Sequence, residues 1–138
     1  MNNKIRIFLT KIFLHCILQS PLFTSRIRRL ALVICGAKIG KGTFIGQNFP
    51  LAIQNIKIGE KCFITQNTSI LVHFFDTKRT FYFGNVEIGD NCFIGINTLI
   101  CKPVKIVSNC IVEGGGVTTD LPDNVFAGGI PCKIIKTL

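Results

Sequence analysis

Two imidazoles, seven thiols and a few carboxylates are the groups in this 138-residue chain that could move a proton or attack an electrophile. His73 stands in Leu-Val-His-Phe-Phe-Asp-Thr-Lys-Arg-Thr (71–80), with Asp76 three residues on. An imidazole, ordinarily titrating near ~6.5, suits proton removal from a hydroxyl at neutral pH and contributes roughly 10²- to 10⁴-fold to a rate. Asp76 or Glu87 could orient such a ring and stabilise its charged form, while Asp76 as a loop-solubilising residue is the plainer alternative. His15 lies in a helical stretch and is not a candidate base. Two histidines cannot furnish the three that a His-bound catalytic zinc uses, which sets a three-histidine zinc site aside. The seven cysteines are odd in number and include no C-x-x-C pair, which suits small buried thiols in a reducing, cytoplasmic setting better than disulfides or zinc ligands.

The elements that must position these groups fall into two parts, residues 1–36 and 37–138. In the first, Ile5, Phe8, Leu9, Ile12, Phe13 and Cys16 follow helical spacing, with Lys4, Arg6 and Lys11 off the stripe. Ser20-Pro21 ends that helix, and Ser25 could cap a second one running to Cys35 with Gly36 as its stop. Lys11 interrupts the apolar core that a signal peptide needs, and no A-x-A-like cleavage site follows. The apolar stripe could lie in a membrane interface, with the basic residues toward anionic lipid at the cytoplasmic face, or pack on the protein's own body or a neighbouring subunit. The formal charge of +9 favours an anionic partner. Without tryptophan and without interleaved basic and aromatic residues, nucleic acid is not expected.

From Ala37 onward the period is six. Ile39, Ile45 and Leu51 are six apart, then Ile58, Ile64 and Ile70, then Ile88, Ile94, Ile100, Ile106 and Val112. Glycine follows the aliphatic at Gly40, Gly46, Gly59, Gly89 and Gly95, and a small or β-branched residue stands four after it, as at Thr43, Cys62, Thr68, Cys92, Thr98, Val104, Cys110 and Gly116. Neither an α-helix nor an alternating strand holds a column at period six, whereas a short strand and a tight corner in every six residues does. The expected fold is mainly β, a parallel β-helix with short N-terminal helices covering one end and the tail from Asp120 covering the other.

The segment Ile-Gly-Asp-Asn-Cys-Phe-Ile-Gly (88–95) and the tail Gly-Gly-Gly-Val-Thr-Thr-Asp-Leu-Pro-Asp-Asn-Val-Phe-Ala-Gly-Gly-Ile-Pro-Cys-Lys-Ile-Ile-Lys (114–136) resemble the left-handed β-helix acyltransferases of the hexapeptide-repeat superfamily. The stretch Arg26–Gly40 further resembles O-acetyltransferases of O-antigen, capsule and exopolysaccharide synthesis. The resemblance implies a homotrimer with acetyl-CoA between neighbouring β-helices, and acetyl transfer to a hydroxyl of a saccharide acceptor, lipid-linked in some pathways. It makes His73 the general base, since relatives carry a histidine in a loop before the Ile-Gly-x-Asn element. It places Thr118, Thr119 and the Gly114–Gly116 backbone, Gly115 included, near the pantetheine or adenine, and Lys133 and Lys136 near CoA phosphates. Phe74, Phe75, Phe81, Tyr82 and Phe83 in the same interval could stack on a sugar or pack on a neighbouring subunit. Departures from the family pattern are Thr119 for a frequent Lys, Phe93 for Trp, Val107 for a corner Gly, and Cys101-Lys102-Pro103-Val104 for Leu-Pro-Gly-Val. They leave a catalytically silent β-helix, serving as a structural or assembly subunit, as the alternative.

Overall fold

The computed structural model describes the backbone of residues 3–50 and 53–138, and side chains in 9–47 and 53–138. Two helices, α1 (Asn3–Gln19) and α2 (Ser25–Ile34), precede a run of short strands. The first coil is β1 (Lys38–Ile39), β2 (Phe44–Ile45) and β3 (Asn48–Pro50); the second is β4 (Ile56–Ile58), β5 (Phe63–Ile64) and β6 (Thr68–Leu71). A hairpin follows, β7 (His73–Phe75) and β8 (Phe81–Phe83). The third coil is β9 (Val86–Ile88), β10 (Phe93–Ile94) and β11 (Leu99–Cys101), and the fourth is β12 (Lys105–Ile106) and the bent β13 (Ile111–Val117). A last partial turn carries β14 (Val125–Gly129) and β15 (Lys133–Thr137).

The coils stack into a three-sided prism, the left-handed parallel β-helix expected from the repeat. One face joins β1, β4, β9 and β12; a second joins β2, β5, β10, the start of β13 and β14; the third joins β3, β6, β11 and the end of β13, all parallel. The column residues point inward: Ile45, Ile64, Ile94 and Val112 are at most 1% exposed on the second face, as are Ile100 and Ile106 on the others. Each fully buried aliphatic contributes roughly 1.5–3 kcal/mol, and stacking them replaces the single large core a solenoid lacks. Aliphatic side chains alone, Leu32, Ile39, Ile45, Ile58, Ile64 and Ile70 among them, line a gap inside the first coils, which offers a polar ligand nothing to bind.

Two positions of the column differ from the strict count. Pro50 rather than Leu51 pairs with Ile70, and Leu51 itself lies outside the described residues. In the fourth coil Val117 pairs with Ile100, only five residues after Val112, so Leu99 faces Gly116. Gly115 lies within that shortened step at φ +124°, and against β14 the register shifts again between Val112 and Gly115.

The corners explain the sequence columns physically. A Cβ on Gly40, Gly46, Gly59, Gly89 or Gly95 would come within 3 Å of the backbone of the next coil, so these glycines answer to close approach between coils. Positive φ is carried elsewhere, by Lys61, Asn67, Asn91, Asn97, Asn109 and Asn124, and asparagine is the residue besides glycine that enters that region most readily. The small-residue column is buried and hydrogen-bonded: Thr43 Oγ1 donates to the Gly59 carbonyl at 2.7 Å, and the Cys62, Cys92 and Cys110 thiols donate to Gly89, Val107 and Pro122 carbonyls at 2.9–3.1 Å.

The N-terminal helices cover the first coil, α2 against β1 and β2 and α1 against α2 and β3. Ser25 is the first helical residue and Thr24 the N-cap, which makes no side-chain capping bond. The Ser25 hydroxyl instead accepts from the Ile45 amide at 2.7 Å, tying the helix to the coil. Gly36, at φ +103°, ends α2 as its sequence position suggested. Among the described residues the stripe Leu9, Ile12, Phe13 and Cys16 does not pack on the chain's own body: all four are exposed, and α1 buries Leu14, Ile17 and Leu18 instead.

Candidate active site

Eighteen residues separate Ile70 from Ile88, where six separate Ile100 from Ile106, and the surplus forms the hairpin. Its base is pinned by Val72 and Val86, both fully buried, and by the Gly84 amide donating to the Val72 carbonyl at 2.9 Å. The strands pair antiparallel as His73 with Phe83, Phe74 with Tyr82 and Phe75 with Phe81. Arg79, at φ +60°, lies in the five-residue connection 76–80, whose ends are joined by the Asp76 amide donating to the Thr80 carbonyl at 3.1 Å.

Alternation gives the hairpin two faces. One carries His73, Phe75, Phe81 and Phe83; the His73 ring lies 5.5 Å from that of Phe81, and the three phenylalanines are more than half exposed. The other carries Phe74 stacked on Tyr82 at 5.0 Å, with the Lys102 ammonium 5.1 Å from the Phe74 ring. Lys102 belongs to the next coil, so this contact and Pro103 beneath Gly84 hold the hairpin against the prism.

Asp76 is the keystone of the loop. Its Oδ1 accepts from the Lys78 and Thr80 amides at 2.9 and 2.8 Å, and Oδ2 from the Tyr82 hydroxyl at 3.3 Å. The Thr80 amide above all, then the Lys78 amide and the Tyr82 hydroxyl, hold its carboxyl below the ordinary carboxylate range. Among the described residues neither Asp76 nor Glu87 hydrogen-bonds to the His73 ring; Glu87 lies on the first face between Lys57 and Lys105.

The other sequence candidates occupy two regions. Thr118 and Thr119 follow β13 at the corner leading from the third face back to the first, the same edge from which the hairpin leaves two coils earlier and where Lys102 stands one coil earlier. Thr119 is exposed and Thr118 half-buried. Gly115 sits in the bend of β13 opposite Gly129, while Lys133 and Lys136 are exposed on β15, which runs antiparallel along β14 at the end of the second face. Lys136 reaches over the Phe126 ring at 5.5 Å. A single extended ligand meeting all five must wrap a corner or bridge two prisms set side by side. Lys102 was not singled out by sequence for this site; the signal was available, because the coil period puts it on the hairpin's edge. Among the described residues no group of histidine, cysteine and carboxylate side chains could hold a metal ion.

The prism and its edge define a class of protein. Residues 85–119 match the family model described as the hexapeptide repeat of succinyl-transferase. No curated protein sequence is significantly similar to the chain. A maltose O-acetyltransferase from Clostridium difficile 630 has the same fold at a TM-score of 0.70 and 23% identity, over 95% of this chain and 85% of that one. A galactoside acetyltransferase in complex with coenzyme A matches at 0.71 and 22% identity, over 94% of this chain and 79% of that one. The polySia-specific acetyltransferase NeuO matches at 0.61 and 28% identity, over 72% of this chain and half of that one. The chain is thus a hexapeptide-repeat β-helix, sharing the architecture of these acetyltransferases.

Proposed function

We propose that the protein is an acetyl-CoA-dependent O-acetyltransferase acting on a saccharide hydroxyl in surface polysaccharide synthesis. The observation that carries this reading is the hairpin itself: this large insertion into the coils presents an imidazole beside exposed aromatic faces, on the prism edge that also bears Thr118 and Thr119. Maltose, galactoside and polySia in the names of the structural neighbours support a sugar acceptor. A complex of one neighbour with coenzyme A supports the donor.

In this reading His73 takes the proton of the acceptor hydroxyl as its oxygen attacks the thioester carbonyl. The C–S bond then breaks, and the thiolate leaves as CoA, taking up a proton. Phe75, Phe81 and Phe83 flank the ring with apolar surface, which suits the face of a sugar and keeps bulk water from the base. Asp76 acts through the loop and keeps β7 and β8 in register. Lys133 and Lys136 meet CoA phosphates as point charges, and Thr118, Thr119 and the Gly115 backbone line the pantetheine path.

The assembly in this reading is a homotrimer with CoA between neighbouring prisms. The outward residues support it. The first face shows Lys38, Lys57, Glu87 and Lys105 to solvent, whereas the second shows Phe44, Phe63 and Phe93 in register, stacked at 4.2 and 5.9 Å and each more than a third exposed. Such a ladder is an uncovered apolar strip of the kind subunits bury.

The test is CoA release from acetyl-CoA, with a mixture of saccharide acceptors, for wild type and His73→Ala. A fall of about 100-fold or more in the variant, with CoA binding unchanged, is expected for loss of a general base. Transfer that survives the substitution removes His73 from the mechanism. A wild type that neither transfers nor binds CoA is instead the structural subunit.

A further inference from the structure

The cap is apolar on its outer side as well as its inner one. α2 turns Arg28 inward, where its guanidinium donates to the Ser20 carbonyl at 2.8 Å, and leaves Ile27, Leu30, Val33 and Ile34 exposed. α1 likewise leaves Leu9, Ile12 and Phe13 exposed, and Leu22 between the helices is 88% exposed. A helix that only capped a solenoid would turn its polar side outward. The charge is just as uneven. Residues 1–59 hold nine Lys or Arg and no Asp or Glu, while residues 60–138 hold seven of each, so the whole net charge of +9 stands in the cap and the first coil and a half.

We propose that this cap docks on an anionic lipid surface, with the apolar stripes entering the acyl boundary and the basic residues meeting headgroup phosphates. Charge decides between the candidate occupants. Two copies meeting through this face would bring together two caps of residues 1–36, each with six Lys or Arg and no Asp or Glu, whereas anionic lipid supplies the opposite charge and an apolar layer at once. The helices lie in the interface, because no helix among the described residues is long and apolar enough to cross a membrane. This inference is independent of the acetyl-transfer reading, and its readout does not involve catalysis.

The experiment is co-sedimentation of the full chain with vesicles of phosphatidylcholine alone or of phosphatidylcholine with phosphatidylglycerol. Binding to the anionic vesicles at least roughly tenfold above the neutral ones, weakened by high salt, is expected where a basic patch and an apolar face act together. Two pairs of substitutions separate the contributions, Phe13→Asp with Leu30→Asp and Lys11→Glu with Arg26→Glu. All four residues are exposed, so thermal unfolding should stay at the wild-type value while each pair lowers partitioning about tenfold or more. The proposal is overturned if the wild type stays in the supernatant with anionic vesicles, or if it binds neutral ones equally. It is also overturned if the Phe13/Leu30 pair breaks up an oligomer without altering lipid partitioning, which would make the face a protein interface.

Discussion

Gly95→Ala should damage the protein far more than Gly116→Ala, although both add one methyl group to the same stack of coils. A Cβ at Gly95 would stand 2.6 Å from the Glu113 carbonyl carbon and 2.9 Å from the Val112 oxygen, with the Glu113 oxygen nearer still. Carbon contacts are comfortable at about 3.5–4.0 Å, so the fourth coil must retreat by roughly 1 Å. That movement stretches the 2.7 Å bond from the Gly95 amide to the Val112 carbonyl, and the Gly95 carbonyl also accepts from Thr98 Oγ1 at 2.6 Å. Overpacking costs about 1–3 kcal/mol and a lost buried hydrogen bond about 1 more, giving roughly 2–4 kcal/mol. For a chain of this size, about 3 °C per kcal/mol converts this to a fall in Tm of roughly 6–12 °C. At Gly116 the nearest atom to an added Cβ is Ile130 Cγ2 at 3.7 Å, an ordinary contact, so the shift should stay within about 2 °C. Circular-dichroism melts at one fixed protein concentration make the comparison, since assembly would render Tm concentration-dependent. Equal Tm values for wild type and Gly95→Ala, or an equal fall for Gly116→Ala, would refute the claim that the glycine column answers to close approach between coils.

Asp76→Ala should loosen the hairpin alone: proteolytic nicking within 76–80 rises several-fold while Tm holds, because the lost bonds all lie inside the hairpin. The same carboxylate gives a pH dependence. Its folded value is depressed, so its contribution is complete above the ordinary carboxylate value near 3.8 and is lost as pH falls through the lower folded value; nicking of the wild type should therefore stay slow at pH 5 and quicken only below that range. Thiol labelling of the folded protein should modify Cys16 quickly and leave Cys62, Cys92 and Cys110 at least about 100-fold slower until denaturant is added. Burial pushes the Cys110 thiol up, and the Cys62 neighbour together with burial pushes Cys92 up, so neither offers a thiolate. Equal labelling of all seven in the absence of denaturant would contradict the burial of these three thiols in the small-residue column.

A repeating element writes its geometry into its own sequence, and that part was legible. Ile39, Ile45, Ile58, Ile64 and their successors recur at six because every strand-and-corner unit faces the same interior, so the coils, their inward column and the place of the His73 hairpin follow from counting. Both helix ends were legible as well, since Pro21 and Gly36 act through local backbone geometry. Counting could not detect the two five-residue steps, to Pro50 and to Val117, because a register shift is settled by the neighbouring coil to which the strand bonds. Nor could it separate glycine held by close approach from asparagine held at positive φ, since both appear simply as corner residues. The role of Asp76 depended on which amides the loop turned toward it, and the partnership of Lys102 with Phe74 depended on two coils meeting at one edge. The N-terminal helices show the limit most sharply. α1 is apolar around more than one side, so its sequence offers two candidate inner faces; tertiary packing buried Leu14, Ile17 and Leu18 and left Leu9, Ile12 and Phe13 outside, because only contact with the first coil distinguishes one apolar stripe from another.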